Sequence, residues 1–137
     1  MKHISSRENA FFKQLLKLAR SSHERKKLGQ TLLDGVHLVR AYSEVFGAPR
    51  ALVVSEGGAA KPEIAALIQT LPAVALSLVP DALFNEIAPV ETPAGVMALI
   101  DTPQAVPLPH RLQTCLVLEA VQDPGNLGAL LRSAAAA

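Results

Sequence analysis

Between residues 31 and 100, short apolar runs alternate with segments whose apolar residues recur at helical spacing, and this alternation restricts the fold more than any other feature. Thr31–Leu33, Ala51–Ser55, Val74–Leu78 and Gly95–Ile100 read as strands. Asp34 and Gly35 open a helix whose apolar stripe is Leu38, Val39, Tyr42, Val45 and Phe46, with Gly47 as its end. Pro62–Leu71 carries Ile64, Leu67, Ile68 and Leu71 on one face, and Pro80–Ile87 makes a shorter helix. Ahead of these, Ser5 with Glu8 forms a capping box for a first helix bearing Phe11, Phe12, Leu15, Leu16 and Ala19. Strands and helices that trade places in this way imply an α/β layered sheet closing near residue 100.

At 137 residues, half of them apolar, the chain can bury one substantial core. No apolar run reaches the roughly 18 residues that would span a bilayer, and the first residues lack the apolar segment of a signal peptide. No membrane role and a cytoplasmic location are expected. Cys115 has no partner for a disulfide and sits in an apolar run, so it reads as a small core residue. His3, His23, His37 and His110 show no ligand spacing, and no metal site is expected.

A net charge of +1 conceals an asymmetry. Residues 1–30 carry eight basic side chains against Glu8 and Glu24, whereas the remainder has five basic and ten acidic residues. Lys13, Lys17 and Arg20 fall at i, i+4 and i+7, on one side of the first helix, and Arg25, Lys26 and Lys27 continue the basic surface into the turn ending near Gly29. Such a cluster fits a polyanion, although a solvated helix face accounts for the charge equally well.

The proline-bearing residues 101–112 have the composition of a semi-rigid connector between a first domain, 1–100, and a second unit, 113–137. In that unit Thr114–Glu119 reads as a strand, Val121–Gly125 as a loop and Asn126–Ala137 as a helix. The helix ends on alanines without a stop signal, as in a cut sequence, and one strand with one helix cannot build a core.

The polar loop lies at the carboxyl end of a strand, where open α/β sheets bind ligands. Asp123 and Asn126 can cap the helix, and Gly125 and Gly128 permit close approach. Asn126 and Arg132 are about 600° of helical rotation apart, so they converge only if Asn126 belongs to the loop. From physics alone, a capped helix with a surface arginine explains the pattern too. Glu119 and Asp123 do not read as an acid/base pair, because Asp123 beside Pro124 serves a turn.

The string Asp123-Pro124-Gly125-Asn126-Leu127-Gly128, with Arg132, Ser133 and Ala134, closely resembles the first signature motif of the SPOUT-class RNA 2′-O-ribose methyltransferases, the SpoU or TrmH family. Ser6, Asn9, Lys13, Leu16, Arg25, Gly29, Leu33, Asp34 and Gly35 resemble the opening of that family's substrate-binding domain, with Asp34 where glutamate is usual. Thr92–Ala98 resembles its closing strand. The resemblance implies a three-layer α/β/α sandwich like that of RNA-binding ribosomal proteins, followed by the first strand, loop and helix of a truncated SPOUT α/β-knot domain. It implies an RNA substrate, of rRNA type, and S-adenosylmethionine as methyl donor. It also implies homodimerisation through the missing C-terminal part.

By the same resemblance, Arg132 is the catalytic arginine and Asn126 a supporting residue, while Lys13, Lys17, Arg20, Arg25, Lys26 and Lys27 contact RNA. The motifs that bind the cofactor have no counterpart in this chain, so the expected fragment binds RNA without catalysis. Alternatives are a non-catalytic RNA-binding α/β module and a small-molecule-binding α/β domain without an RNA role.

Overall fold

The computed structural model describes residues 1–88, 90, 92–104 and 115–136. The chain forms two compact units, Met1–Gln104 and Ala105–Ala137. Residues 105–114, and with them most of the expected connector and the start of the expected strand at Thr114, lie outside the described residues.

In the first unit the strands are β1 (Lys2–His3), β2 (Gln30–Asp34), β3 (Ala51–Ser55), β4 (Ala75–Val79) and β5 (Val96–Asp101). The helices are α1 (Ala10–Arg20), α2 (Ser22–Leu28), α3 (Val36–Phe46), α4 (Glu56–Ala59), α5 (Pro62–Thr70) and α6 (Asp81–Ile87). The strands form one mixed sheet in the order β1-β4-β3-β5-β2. β4 runs parallel to β1 and β3, whereas β5 is antiparallel to both β3 and β2.

Alternation along the central strands divides the core between the two faces of this sheet, because successive side chains point to opposite sides. Ala51, Val53, Met97 and Leu99 pack with Phe12, Leu15 and Leu18 of α1 and with Leu83, Phe84 and Ile87 of α6. Leu52, Val54, Val96, Ala98 and Ile100 pack with Val36 and Val39 of α3 and with Ile64 and Leu67 of α5. This is the expected three-layer α/β/α sandwich. Each large side chain buried in it stabilises the fold by about 1.5–3 kcal/mol relative to leaving it exposed.

Three sequence expectations are corrected in this unit. Ser5 does not cap α1: Ile4 is buried and its N–H donates to the Leu78 carbonyl at 2.9 Å, extending the β1 pairing. The chain must first turn, and the cap is Asn9, whose Oδ1 accepts from the Phe11 and Phe12 N–H groups at 3.0 and 3.3 Å. The turn expected at 25–29 is the helix α2, capped by Ser21 and ended by Gly29 in the left-handed region at φ 60°. Lastly, α3 buries Val36 and Val39, leaving Leu38, Val45 and Phe46 more than half exposed.

The second unit contains α7 (Pro124–Ala136). Residues 115–119, expected in a strand, are irregular. A strand requires a hydrogen-bonded neighbour, and the described residues of this unit supply no second edge. For the same reason Cys115, expected in a core, is exposed, and Val117 is 82% exposed. Among the described residues no helix is long and apolar enough to cross a membrane.

Candidate nucleic-acid interface

The amphipathic pattern of α1 fixes its outer face. Burial of Phe12, Leu15 and Leu18 turns Lys13, Lys17 and Arg20 outward, and all three are exposed. Lys13 is paired with Glu8, an exposed contact that contributes little to stability. Lys13 and Lys17 line a groove between α1 and α2, together with Gln14, Glu24 and Leu28.

Lys26 and Lys27 are exposed on α2, whereas Arg25 is half-buried. Its Nη1 donates to the Leu18 carbonyl at 2.7 Å and the Ala19 carbonyl at 3.4 Å, so the guanidinium closes the carboxyl end of α1. A sequence reading of Arg25 as a plain surface contact misses this anchoring, since nothing in the local string reveals a bond reaching back six and seven residues. The exposed Lys17, Arg20, Lys26 and Lys27 side chains make no ion pair among the described residues, and Lys13 would exchange Glu8 for a polyanion.

At the other end of the sheet, Asp34 ends β2 just before Gly35, whose φ of 94° excludes most side chains. Asp34 Oδ1 is buried without a hydrogen-bond partner among the described residues. Burial pushes this carboxyl above its ordinary range, partly opposed by the Ala94 backbone N–H. A raised native pKa means that the folded state holds the proton more tightly than the unfolded state does. This group's contribution is therefore fully present below the ordinary carboxylate range and is lost as pH rises through the raised value. Asp34→Asn is expected to remove that decline, leaving Tm unchanged at pH 3, below the ordinary carboxylate range, and raising it at pH 8 by at most about 4 °C, because solvent reaches part of this carboxyl and screens its charge. Melting curves across this range check it, and an unaltered pH profile would show that Asp34 is not the group responsible.

In the second unit Asp123 Oδ1 accepts from the Asn126 N–H at 2.8 Å, capping α7. The helix therefore begins at Pro124, where a missing N–H costs nothing, two residues before the expected start at Asn126, and Asn126 is helical as expected. Asn126 lines an open cleft of about 580 Å³ with Glu119, Gln122, Asp123 and Leu130. Arg132 instead folds back along the helix, its Nη1 3.2 Å from where a Cβ on Gly128 would lie. The structure brings Asn126 to the cleft and does not bring Arg132 to Asn126. No described residue of this unit is fully buried, so no packing holds either side chain in place.

Comparison with known proteins bears on both units. A family model described as an MRM3-like substrate binding domain matches residues 9–98. The chain is 35% identical, over 97% of its length and 48% of the relative, to an uncharacterized tRNA/rRNA methyltransferase of Synechocystis sp.. It is 30% identical, over 100% of its length and 52% of the relative, to the 23S rRNA (guanosine(2553)-2′-O)-methyltransferase RlmP of Bacillus subtilis. A crystal structure of an RNA 2′-O ribose methyltransferase matches with a TM-score of 0.76 at 28% identity, covering 98% of this chain and 52% of that one. The SpoU methyltransferase AviRb of Streptomyces viridochromogenes, solved with AdoMet, shares the fold with a TM-score of 0.60 at 24% identity, covering 93% of this chain and 48% of that one. The chain thus spans about half the length of the curated relatives it matches.

Proposed function

We infer, because the chain belongs to the MRM3-like substrate-binding domain family, that residues 1–104 hold structured RNA for a ribose 2′-O-methyltransferase. The observation that carries this reading is the exposed row Lys13, Lys17 and Arg20 on α1, flanked by Lys26 and Lys27 on α2. Cations set on rigid helices give affinity for a phosphate backbone without requiring a base sequence. The rRNA methyltransferases among the relatives make rRNA the preferred substrate class.

For the whole protein we propose methyl transfer from S-adenosylmethionine to a ribose 2′-hydroxyl, in a homodimer. Arg132 would stabilise the charge that develops on the 2′ oxygen, and Asn126 would support the same centre. The guanidinium stays protonated and so cannot be the base. The described residues do not fit the methyl donor. The cleft beside α7 is open, and Glu119, Gln122, Asp123 and Asn126 are all exposed, so nothing encloses a ligand there. On this proposal the donor's site belongs to other parts of the whole protein, and the present chain binds RNA without turning over. The separation of Asn126 from Arg132 along α7 favours that view.

Titration of a structured rRNA fragment by fluorescence anisotropy tests the RNA reading. With four or five phosphates neutralised, affinity is expected to fall by about two orders of magnitude between 50 and 200 mM salt. Failure to bind at low salt would exclude an RNA role for this surface.

A further inference from the structure

α2 borders two concavities, and the second joins Arg25 and Lys26, which the sequence singles out, to residues of β2 and the chain after β5 that it does not. Besides the α1 groove there is a basin of about 450 Å³ lined by Ser22, Arg25, Lys26, Gly29, Thr31, Thr102 and Gln104. Its walls come from α2, from β2 and from the chain just after β5. They are tied together where the Thr102 N–H donates to the Gly29 carbonyl at 2.8 Å.

We propose that this basin seats one backbone phosphate of the RNA, a proposal that rests on the RNA reading given above. Among the described residues its lining holds two cations, three hydroxyls and one amide, and no carboxylate. Arg25 is already oriented by its bonds to the Leu18 and Ala19 carbonyls, which use one nitrogen and leave the remainder of the donor fork without a partner among the described residues. A guanidinium fixed in this way loses little freedom on binding, which favours it over a mobile lysine. Lys26 adds a second charge, and the hydroxyls of Ser22, Thr31 and Thr102 suit the remaining phosphate oxygens.

The carboxyl end of α2 opposes an anion, since a helix leaves about half a negative charge there. Two full positive charges outweigh it, and the Gly29 N–H already caps the Arg25 and Lys26 carbonyls. Among the described residues the lining contains no aromatic or aliphatic side chain on which a base could stack. The seat therefore recognises phosphate and carries no sequence preference.

Lys26→Glu, at an exposed position, is expected to weaken binding of a structured rRNA fragment about tenfold. The loss should be equal for fragments of different sequence and should reduce the salt slope by about 1. Inorganic phosphate titrated into the isotope-labelled chain should shift the Gly29, Thr31 and Thr102 amide resonances before others. The double variant Lys13→Glu/Lys17→Glu, in the neighbouring groove, should weaken RNA binding while leaving those phosphate shifts intact. RNA bound by Lys26→Glu with wild-type affinity and slope, while the groove variant binds weakly, overturns the basin and spares the RNA reading. Wild-type chain that binds no RNA at low salt overturns that reading, and the seat with it.

Discussion

Replacing Gly58 with alanine is expected to lower the Tm of the chain by about 15 °C. Gly58 lies in α4 directly beneath the loop entering β5. A Cβ there would stand 2.2 Å from the Gly95 carbonyl oxygen, 2.8 Å from its carbon and 2.9 Å from its Cα. All three are backbone atoms, so no rotamer change relieves the contact. The Gly95 carbonyl also accepts from the Ser55 N–H at 3.0 Å, which registers β3 against β5. β3 is the middle strand of the sheet, and any shift of Gly95 disturbs the packing on both faces. Overpacking of this kind costs about 3 kcal/mol, and each kcal/mol moves the Tm of a domain this size by roughly 4–8 °C. Gly57→Ala is the control. Its Cβ would meet only the Asp81 carboxylate oxygens, at 3.1 Å, and that exposed side chain can move. A drop below about 5 °C is expected for Gly57→Ala. Thermal unfolding followed by circular dichroism compares the two, and equal melting temperatures would refute the close approach of Gly58 to Gly95.

What the sequence disclosed follows from how each element is stabilised. β3 was read at its true bounds because a strand buried on both faces is a continuous apolar run between polar turns. α5 and α6 were legible because a proline marks each start and an apolar stripe follows. α2 was not, since Ser22–Leu28 buries no residue and its helix rests on the Ser21 cap, the Gly29 end and the Arg25 bonds to α1. β1 escaped because two residues carry no periodicity, and its existence depends on the distant edge of β4. In α3 the expected stripe includes Val39, which is buried, and Tyr42, which packs against the same core, but it omits Val36 and places Leu38, Val45 and Phe46 inside. Leu38, Val45 and Phe46 make as good a stripe as Val36 and Val39, and only the sheet behind them decides.

The candidate site divides in the same way. The outward row of Lys13, Lys17 and Arg20 follows from helical geometry alone, so the sequence located it. The basin beside α2 joins residues up to 82 positions apart, Ser22 and Gln104 among them, and no local pattern connects them. In the second unit the motif was recognised, whereas its geometry turned on one hydrogen bond. Once Asp123 caps α7 at Pro124, Asn126 falls within the first turn.

Arg132→Ala in the whole protein is expected to slow single-turnover methyl transfer to RNA about 10²–10³-fold, the usual cost of removing one donor aimed at a developing oxyanion. RNA affinity should stay within about twofold, because the cations proposed to hold RNA belong to the first unit and Arg132 is not among them. A fall in kcat without a rise in KM therefore separates a catalytic arginine from one that merely binds RNA. Lysine at the same position keeps the charge and loses the planar fork, so Arg132→Lys should recover part of the rate. Asn126→Ala should cost less, about tenfold, since an amide without charge makes a weaker bond to an oxyanion. Gly128→Ala adds a probe of geometry. The new methyl would sit 3.2 Å from the Arg132 Nη1, pushing away the guanidinium that now lies along the helix. If that folded-back arrangement is a resting one that the arginine must leave to reach substrate, Gly128→Ala will spare or raise the rate. If the arginine acts from that position, the rate will fall with Arg132→Ala. Transfer by Arg132→Ala within threefold of wild type would remove Arg132 from the reaction altogether.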